Sequence, residues 1–298
     1  VANAYVADIT APADRAKAFG KLGAMLGMGF ILGPVLGGLL GGISLHLPFF
    51  AAGTLACVNW LYGYFVLPES LPPERRRPFV LREANPINAL RGLTALKGVG
   101  SLVVVIGLSG LAQFMTHTSW VLYTTFKFGW GPTQNGWSLF AIGLMSVLVQ
   151  GVLLAKLLKR FSPQRLAIMG LISSSICFVM WGLATEGWML YAVIFANVLG
   201  FAVSASIQSL ISNAADPGAQ GRTAGAVGSL NSMMAVIAPA IGAPLLATVS
   251  HLPHGDWRIG APFYFCALLQ AASTVIAVRH FRGERRQREL LAAAASTT

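Results

Sequence analysis

The chain has 298 residues, of which 55% are hydrophobic and only 10% charged, and its mean hydropathy is +0.66. Soluble domains carry about 25% charged residues, so this composition excludes one and requires an integral membrane protein. The net charge of +11 raises nucleic acid as a partner, a question settled below by where the charges fall.

About 20 apolar residues cross a bilayer core. Val1 to Ile9 reads as the last turns of a helix already under way, with neither an initiating methionine nor the order of a signal peptide. Full spans are predicted at 18–41, 48–67, 98–121, 135–155, 166–184, 188–211, 224–247 and 261–278, eight in all after the partial one. The first holds "GFILGPVLGGLLGG", Gly29 to Gly42, in which Gly29, Gly33, Gly37 and Gly41 recur every fourth residue. Glycines at that spacing share a helix face, and a face of bare backbone invites close contact with another helix. Cys57, Cys177 and Cys266 lie in separate apolar runs without a CxxC pair, which predicts buried packing residues and no disulfide framework.

The connections fall into two alternating sets. Of 21 Lys and Arg, only Lys127 and Arg258 fall in the set made by 42–47, 122–134, 185–187 and 248–260. The rest lie in 10–17, 69–97, 156–165, 212–223 and 279–298, or at the adjoining helix ends. Such a bias places the basic set, and the tail "RHFRGERRQRE", on the cytoplasmic side. The basic charge is therefore a topology signal, and no nucleic-acid partner is expected. The Pro- and Arg-rich stretch 69–97 reads as a connector between two bundles.

The connector also separates two copies of a repeat. "GKLGAMLGMGFILGPVLGG" from Gly20 aligns with "GAVGSLNSMMAVIAPAIGA" from Gly225, setting Gly20, Gly23, Pro34 and Gly37 on Gly225, Gly228, Pro239 and Gly242. "LPFFAAGTL" from Leu47 similarly matches "APFYFCALL" from Ala261. Parallel repeats of this kind build the two halves of some secondary transporters.

Three stretches in order carry a family resemblance. "YVADITAPADRAKAFG", "GFILGPVLGGLLGG" and "LPES" resemble, respectively, the loop after the fourth helix, the antiporter motif of the fifth and the end of the sixth in the major facilitator superfamily. The match is to its drug-efflux part, in the tetracycline-resistance-like drug–proton antiporter branch. The resemblance implies an all-α membrane fold of 12 helices in two pseudo-symmetric six-helix bundles. It divides the chain into 1–68, the end of the first bundle; 69–97, the connector; 98–280, the second bundle; and 281–298, a basic cytoplasmic tail. By helix-length arithmetic it also implies that helices one to three and most of four, about 100 residues, are not in this sequence.

The resemblance assigns Gly29, Gly33, Pro34, Gly37, Gly38 and Gly41 to the antiporter motif, on a helix that faces the eighth across a rocking seam. It assigns Asp8, Arg15, Arg160 and Arg165 to a cytoplasmic gate. The second copy of the gate motif, in 156–165, is degenerate, because Lys159 stands where the family has Asp and Ser162 where it has Gly. Ser146 and Ser174 likewise stand where tetracycline-pumping members carry a His and an Asp, which leaves tetracycline itself open as a substrate.

Polar groups are costly in hydrocarbon, so those inside spans are candidates for function. Ser109, Gln113, Thr116, His117 and Trp120 recur at helical spacing, as do Asn197, Ser204 and Gln208, while Asn231 and Ser232 sit in the span 224–247. The resemblance makes the first two sets parts of helices seven and ten, which border the central cavity. Gln113, His117, Trp120, Asn197 and Gln208 are the expected cavity-lining residues, against the alternative of plain interhelical hydrogen bonding. All ten Asp and Glu lie outside the apolar spans, so no carboxylate is in place to carry a proton through the bilayer. No HExxH, GxSxG or Walker loop is present, and neither an enzyme, a metal site nor a cofactor is expected.

The expected activity is export of a drug-like amphipathic molecule in exchange for protons, by alternating access, from a monomer in the bacterial inner membrane. The alternatives are a facilitator or importer of another small solute, and a truncated chain that does not transport.

Overall fold

A computed structural model describes residues 15–66, 100–214 and 220–295, and among them the regular structure is entirely helical. The helices are α1 (Arg15–Ile43), α2 (Leu47–Val66), α3 (Gly100–Phe128), α4 (Pro132–Leu148), α5 (Leu154–Arg160), α6 (Pro163–Leu183), α7 (Gly187–Ala196), α8 (Val198–Phe201), α9 (Val203–Ala214), α10 (Gln220–Ala247) and α11 (Ala261–Ala295). A π turn, Val149–Leu153, joins α4 to α5, and a 3₁₀ turn, Trp257–Gly260, precedes α11.

Each of the eight predicted spans corresponds to one helix or to one interrupted run of helices. Among the described residues, six are long and apolar enough to cross a membrane, α4 and α5 counting together. The pair Gly187–Ala196 and Val198–Ile211, bent by 61°, makes a seventh, and α1 contains a shorter apolar segment, Gly27–Ile43. Val1–Ile9 and the connector 69–97 lie outside the described residues.

Local chemistry explains where the helices end. The predicted loop 122–134 shrinks to three residues because α3 continues to Phe128, where Gly129 at φ 67° stops it and donates its N–H to the Thr125 carbonyl at 3.0 Å. Pro132 then opens α4, at a position where a helix has no use for its missing N–H. The predicted loop 156–165 shrinks to Phe161 and Ser162. Ser162 caps α6 by accepting from the Arg165 N–H at 3.4 Å, with Pro163 next to it. The tail predicted at 281–298 is, as far as Ala295, a continuation of α11. The repeat shows in the helices, since Pro34 lies inside α1 and its counterpart Pro239 inside α10.

The chain forms two compact units. The first holds Val1–Ala84 with Trp130–Leu144, and the second Asn85–Gly129 with Met145–Thr298, so the boundary falls inside α4. In the second unit, Leu102 and Val105 of α3 share a core with Ala167 and Leu171 of α6, Val203, Ile207 and Ile211 of α9, Val227 of α10 and Ala277 of α11. In the first unit α2 has no buried residue. Cys57 is therefore exposed, contrary to the expectation for all three cysteines, whereas Cys177 and Cys266 are buried.

Candidate functional site

The glycine stripe of α1 does two different things. A side chain at Gly29, Gly33 or Gly37 would meet nothing within 4 Å. At Gly38 a Cβ would lie 2.8 Å from the Gly136 Cα and 2.9 Å from the Pro132 carbonyl. At Gly41 it would lie 3.2 Å from the Pro132 side chain, and at Gly42 2.6 Å from the Thr133 hydroxyl. The close approach expected from the four-residue spacing is thus made along one edge of the stripe, by Gly38, Gly41 and Gly42 against the start of α4. Thr133 adds a hydrogen bond from its hydroxyl to the Gly38 carbonyl at 3.4 Å.

The polar residues of α3 divide between two faces. Ser109 donates to the Gln270 side chain at 2.8 Å, and Thr116 lies beside Cys266, so both belong to the α3–α11 contact. Trp120 is 1% exposed, with its ring 5.2 Å from that of Trp181 and 6.0 Å from that of Phe263. Its area goes into edge-to-face packing, and it does not line an open surface as expected from sequence. Gln113 and His117, by contrast, are exposed and bonded to each other, Nε2 to Nε2, at 2.9 Å. With the amide nitrogen turned toward the ring, Nε2 is the acceptor, and this arrangement goes with a neutral imidazole that carries its proton on Nδ1.

The spacing that places Asn197, Ser204 and Gln208 on one face assumes an unbroken helix, and the helix breaks at Asn197. Asn197 is buried there, with its N–H donating to the Val193 carbonyl at 3.0 Å and its side-chain oxygen accepting from Ser173 at 3.3 Å. Gly200 packs so closely on Asn197 and Ser174 that no side chain fits. Ser204 and Gln208, beyond the break, are exposed. Ser146, at the other position of interest, accepts from Gln150 at 2.7 Å.

Of the gate residues, Asp8 lies outside the described residues and Arg15 begins α1. Arg160, at the end of α5, and Arg165, in the first turn of α6, are exposed on either side of the Phe161–Ser162 link. The three described carboxylates, Glu186, Asp256 and Glu289, stand at or beyond the ends of the apolar segments.

One buried group escaped the sequence reading. Lys127, placed in a loop by its position, is the penultimate residue of α3 and is 1% exposed. Its ammonium donates to the Gly182 carbonyl at 2.6 Å and sits 5.5 Å from the Tyr123 ring and 5.9 Å from the Phe128 ring. Tyr123 donates its hydroxyl to the Trp181 carbonyl next to it. The loop 248–260 closes over this end of the unit. Gly255 donates its N–H to the Lys127 carbonyl at 3.1 Å, and His254 bonds the Phe126 carbonyl at 2.7 Å. Asp256 caps the 3₁₀ turn by accepting from the Arg258 N–H and pairs with its guanidinium at 2.8 Å. Those hydrogen bonds from Arg258 hold the Asp256 carboxyl below the usual aspartate range. The one available sequence signal was a lone lysine among aromatics, "LYTTFKFG".

Comparison with known proteins agrees with this architecture. Residues 1–239 match the Major Facilitator Superfamily profile. The chain is 34% identical over 269 residues to the class C tetracycline resistance protein of Escherichia coli, covering 90% of this chain and 68% of that protein. It is 30% identical over 258 residues to multidrug resistance protein 2 of Bacillus subtilis (strain 168), covering 84% and 63%. Among solved structures, the human organic anion transporter MFSD10 superposes with a TM-score of 0.61 at 22% identity over 92% of this chain and 66% of that one, a likeness of fold. The spans, the repeat and the matched profile establish that this multi-pass membrane chain belongs to the major facilitator superfamily of transporters.

Proposed function

We propose that the protein is a secondary active exporter of amphipathic drug-like molecules that exchanges them for protons by alternating access. The observation that carries this reading is the exposed Gln113–His117 pair, in the middle of an apolar span of a chain akin to tetracycline and multidrug resistance proteins. A hydrogen-bonding pair there is expensive against lipid and useful against a water-filled cavity. Gln208, exposed beyond the helix break, is assigned to the same lining, with Trp120 and Asn197 holding the wall behind it. Gly29, Gly33, Pro34, Gly37, Gly38 and Gly41 form the antiporter motif. Arg15, Arg160 and Arg165, with Asp8, mark the cytoplasmic gate. The basic connections and the end of α11 face the cytoplasm, where the positive-inside bias puts them, and the protein acts as a monomer.

Accumulation of tetracycline and of ethidium in cells expressing the protein tests this reading. Expression should lower accumulation of at least one of them, and an uncoupler should restore it. Lowered accumulation that survives the uncoupler contradicts proton exchange, and unchanged accumulation of both contradicts drug export.

A further inference from the structure

We propose that Gln113 and His117 form the proton-binding site of the exchange, with the Gln113 amide turning over each time His117 gains or loses its proton. The inference rests on the export reading and adds the group that couples it. His117 lies three residues, about 4.5 Å of helix, from the midpoint of α3 at Phe114. Histidine is the side chain that ordinarily changes charge between about pH 5 and 8. No described carboxylate sits at this depth in any span.

Beside the stripe that holds the pair, α10 supplies one amide and one apolar side chain, Asn231 and Met234. One turn before Gln113, Gly110 leaves room on α3 for Asn231 of α10, whose side-chain oxygen would be 3.5 Å from a Cβ at that position. Gly110, Gln113 and His117 follow one another at helical spacing, so the amide of Asn231 and the pair lie along one stripe. Among the described residues, the elements packed on α3 bring no charge to His117. The described side chains of α9 and α10 include no titratable group. On α11, Cys266 is engaged with the Ala112 carbonyl and Thr116, Tyr264 donates to the Trp257 carbonyl, and Arg279 and His280 stand near the far end of the span. In the 3₁₀ turn Arg258 pairs with Asp256. On α3 itself Tyr123 and Lys127 are buried and bonded to Trp181 and Gly182.

The hydrogen bond defines two states. In the neutral state Gln113 donates from Nε2 to the ring Nε2, and Nδ1 carries the ring proton. When a proton adds to Nε2 the ring becomes a cation with two donors, and Nε2–H faces an amide nitrogen that cannot accept. Rotation of the Gln113 amide by half a turn offers Oε1 to the ring and swings the NH₂ group outward. Arrival of a drug that uses the Gln113 Oε1 or the ring Nε2 reverses this and releases one proton to water. Drug and proton thus compete for one pair of side chains, as exchange requires.

The test uses the purified full chain in detergent. Nitrogen-15 spectra of the histidine rings, followed as the pH is lowered over the range in which the protein stays folded, should show His117 gaining a proton, with the neutral form protonated on Nδ1. In weak buffer, binding of tetracycline or ethidium should release about half a proton per molecule bound at the titration midpoint, rising toward one as the pH is set below it. In His117→Gln the release per bound molecule should fall at least tenfold. In Gln113→Leu the neutral ring should lose its preference for Nδ1, an outcome readable even if the His117 variant does not fold. A His117 ring that keeps one protonation state across that range overturns the inference, and so does His117→Gln with undiminished release per bound molecule. A titrating His117 in a protein that binds neither probe supports the proton site and removes the export reading alone.

Discussion

In the first unit α1 and α4 approach backbone to backbone at Gly38 and Gly136, with only the short side chains of Pro132 and Thr133 beside that point. In the second unit α3, α6 and α11 meet through side chains, with Ser109 on Gln270, Lys127 on Gly182 and the rings of Trp120, Trp181 and Phe263 interlocked. Lipid tails are as apolar as leucine, so neither contact draws on the hydrophobic effect that builds soluble cores. Each uses what remains: dispersion at very short range in one case, hydrogen bonds and aromatic edges in the other. Beside the glycine contact the Thr133 hydroxyl donates to the Gly38 carbonyl at 3.4 Å. The side-chain contact is keyed at several depths, from Ser109 near the middle of α3 to Lys127 at its end.

The sharpest way to break this contrast is Gly136→Leu. A Cβ there would lie 2.7 Å from the Pro34 carbonyl and 2.8 Å from the Gly38 Cα, both main-chain atoms without a rotamer to yield. The expected cost is about 3 kcal/mol, read as earlier thermal unfolding in detergent. Gly33→Ala, with nothing within 4 Å, is the matched control and should cost nothing or stabilise by a few tenths. Next in size, Lys127→Met leaves the Gly182 carbonyl without its ammonium donor and should cost about 2 kcal/mol in the same assay. Ser109→Ala removes one interhelical hydrogen bond from α3 to α11 and should cost about 0.6 kcal/mol, the usual size of such bonds in membranes.

The smallest effect is a pH dependence at Asp256, whose carboxyl is held low by the hydrogen bonds from Arg258. A lowered folded-state value means that its contribution is present above the ordinary aspartate range and is lost as the pH falls through the lowered value. The unfolding temperature of wild type should therefore exceed that of Asp256→Asn slightly at pH 7, and the gap should close as the pH falls below about 4.

The spans were legible in the sequence, because hydropathy over 20 residues reports them directly. Helix ends were less legible. Lys127 looked like a loop residue, since a charge at that position ordinarily marks water, and only folding supplies the Gly182 carbonyl that accepts it. The α7–α9 face failed for a related reason: a break at Asn197 resets the helical phase, so equal spacing no longer means one side. Trp120 was misplaced because spacing alone does not tell the face that meets α11 from its neighbour, which holds Gln113 and His117. The glycine stripe identified a close contact, and the structure assigns it to one edge of the stripe.

The account turns on Gln113 and His117 facing water while they sit at membrane depth. The direct test is thiol accessibility in a full chain whose Cys57, Cys177 and Cys266 have been replaced. Gln113→Cys and His117→Cys should react with a membrane-impermeant thiol reagent, and tetracycline or ethidium should slow the reaction. Val104→Cys and Leu122→Cys, on exposed apolar positions of the same helix, should stay inert. If positions 113 and 117 are as inert as 104 and 122, they face lipid, and neither the cavity nor the proton site stands.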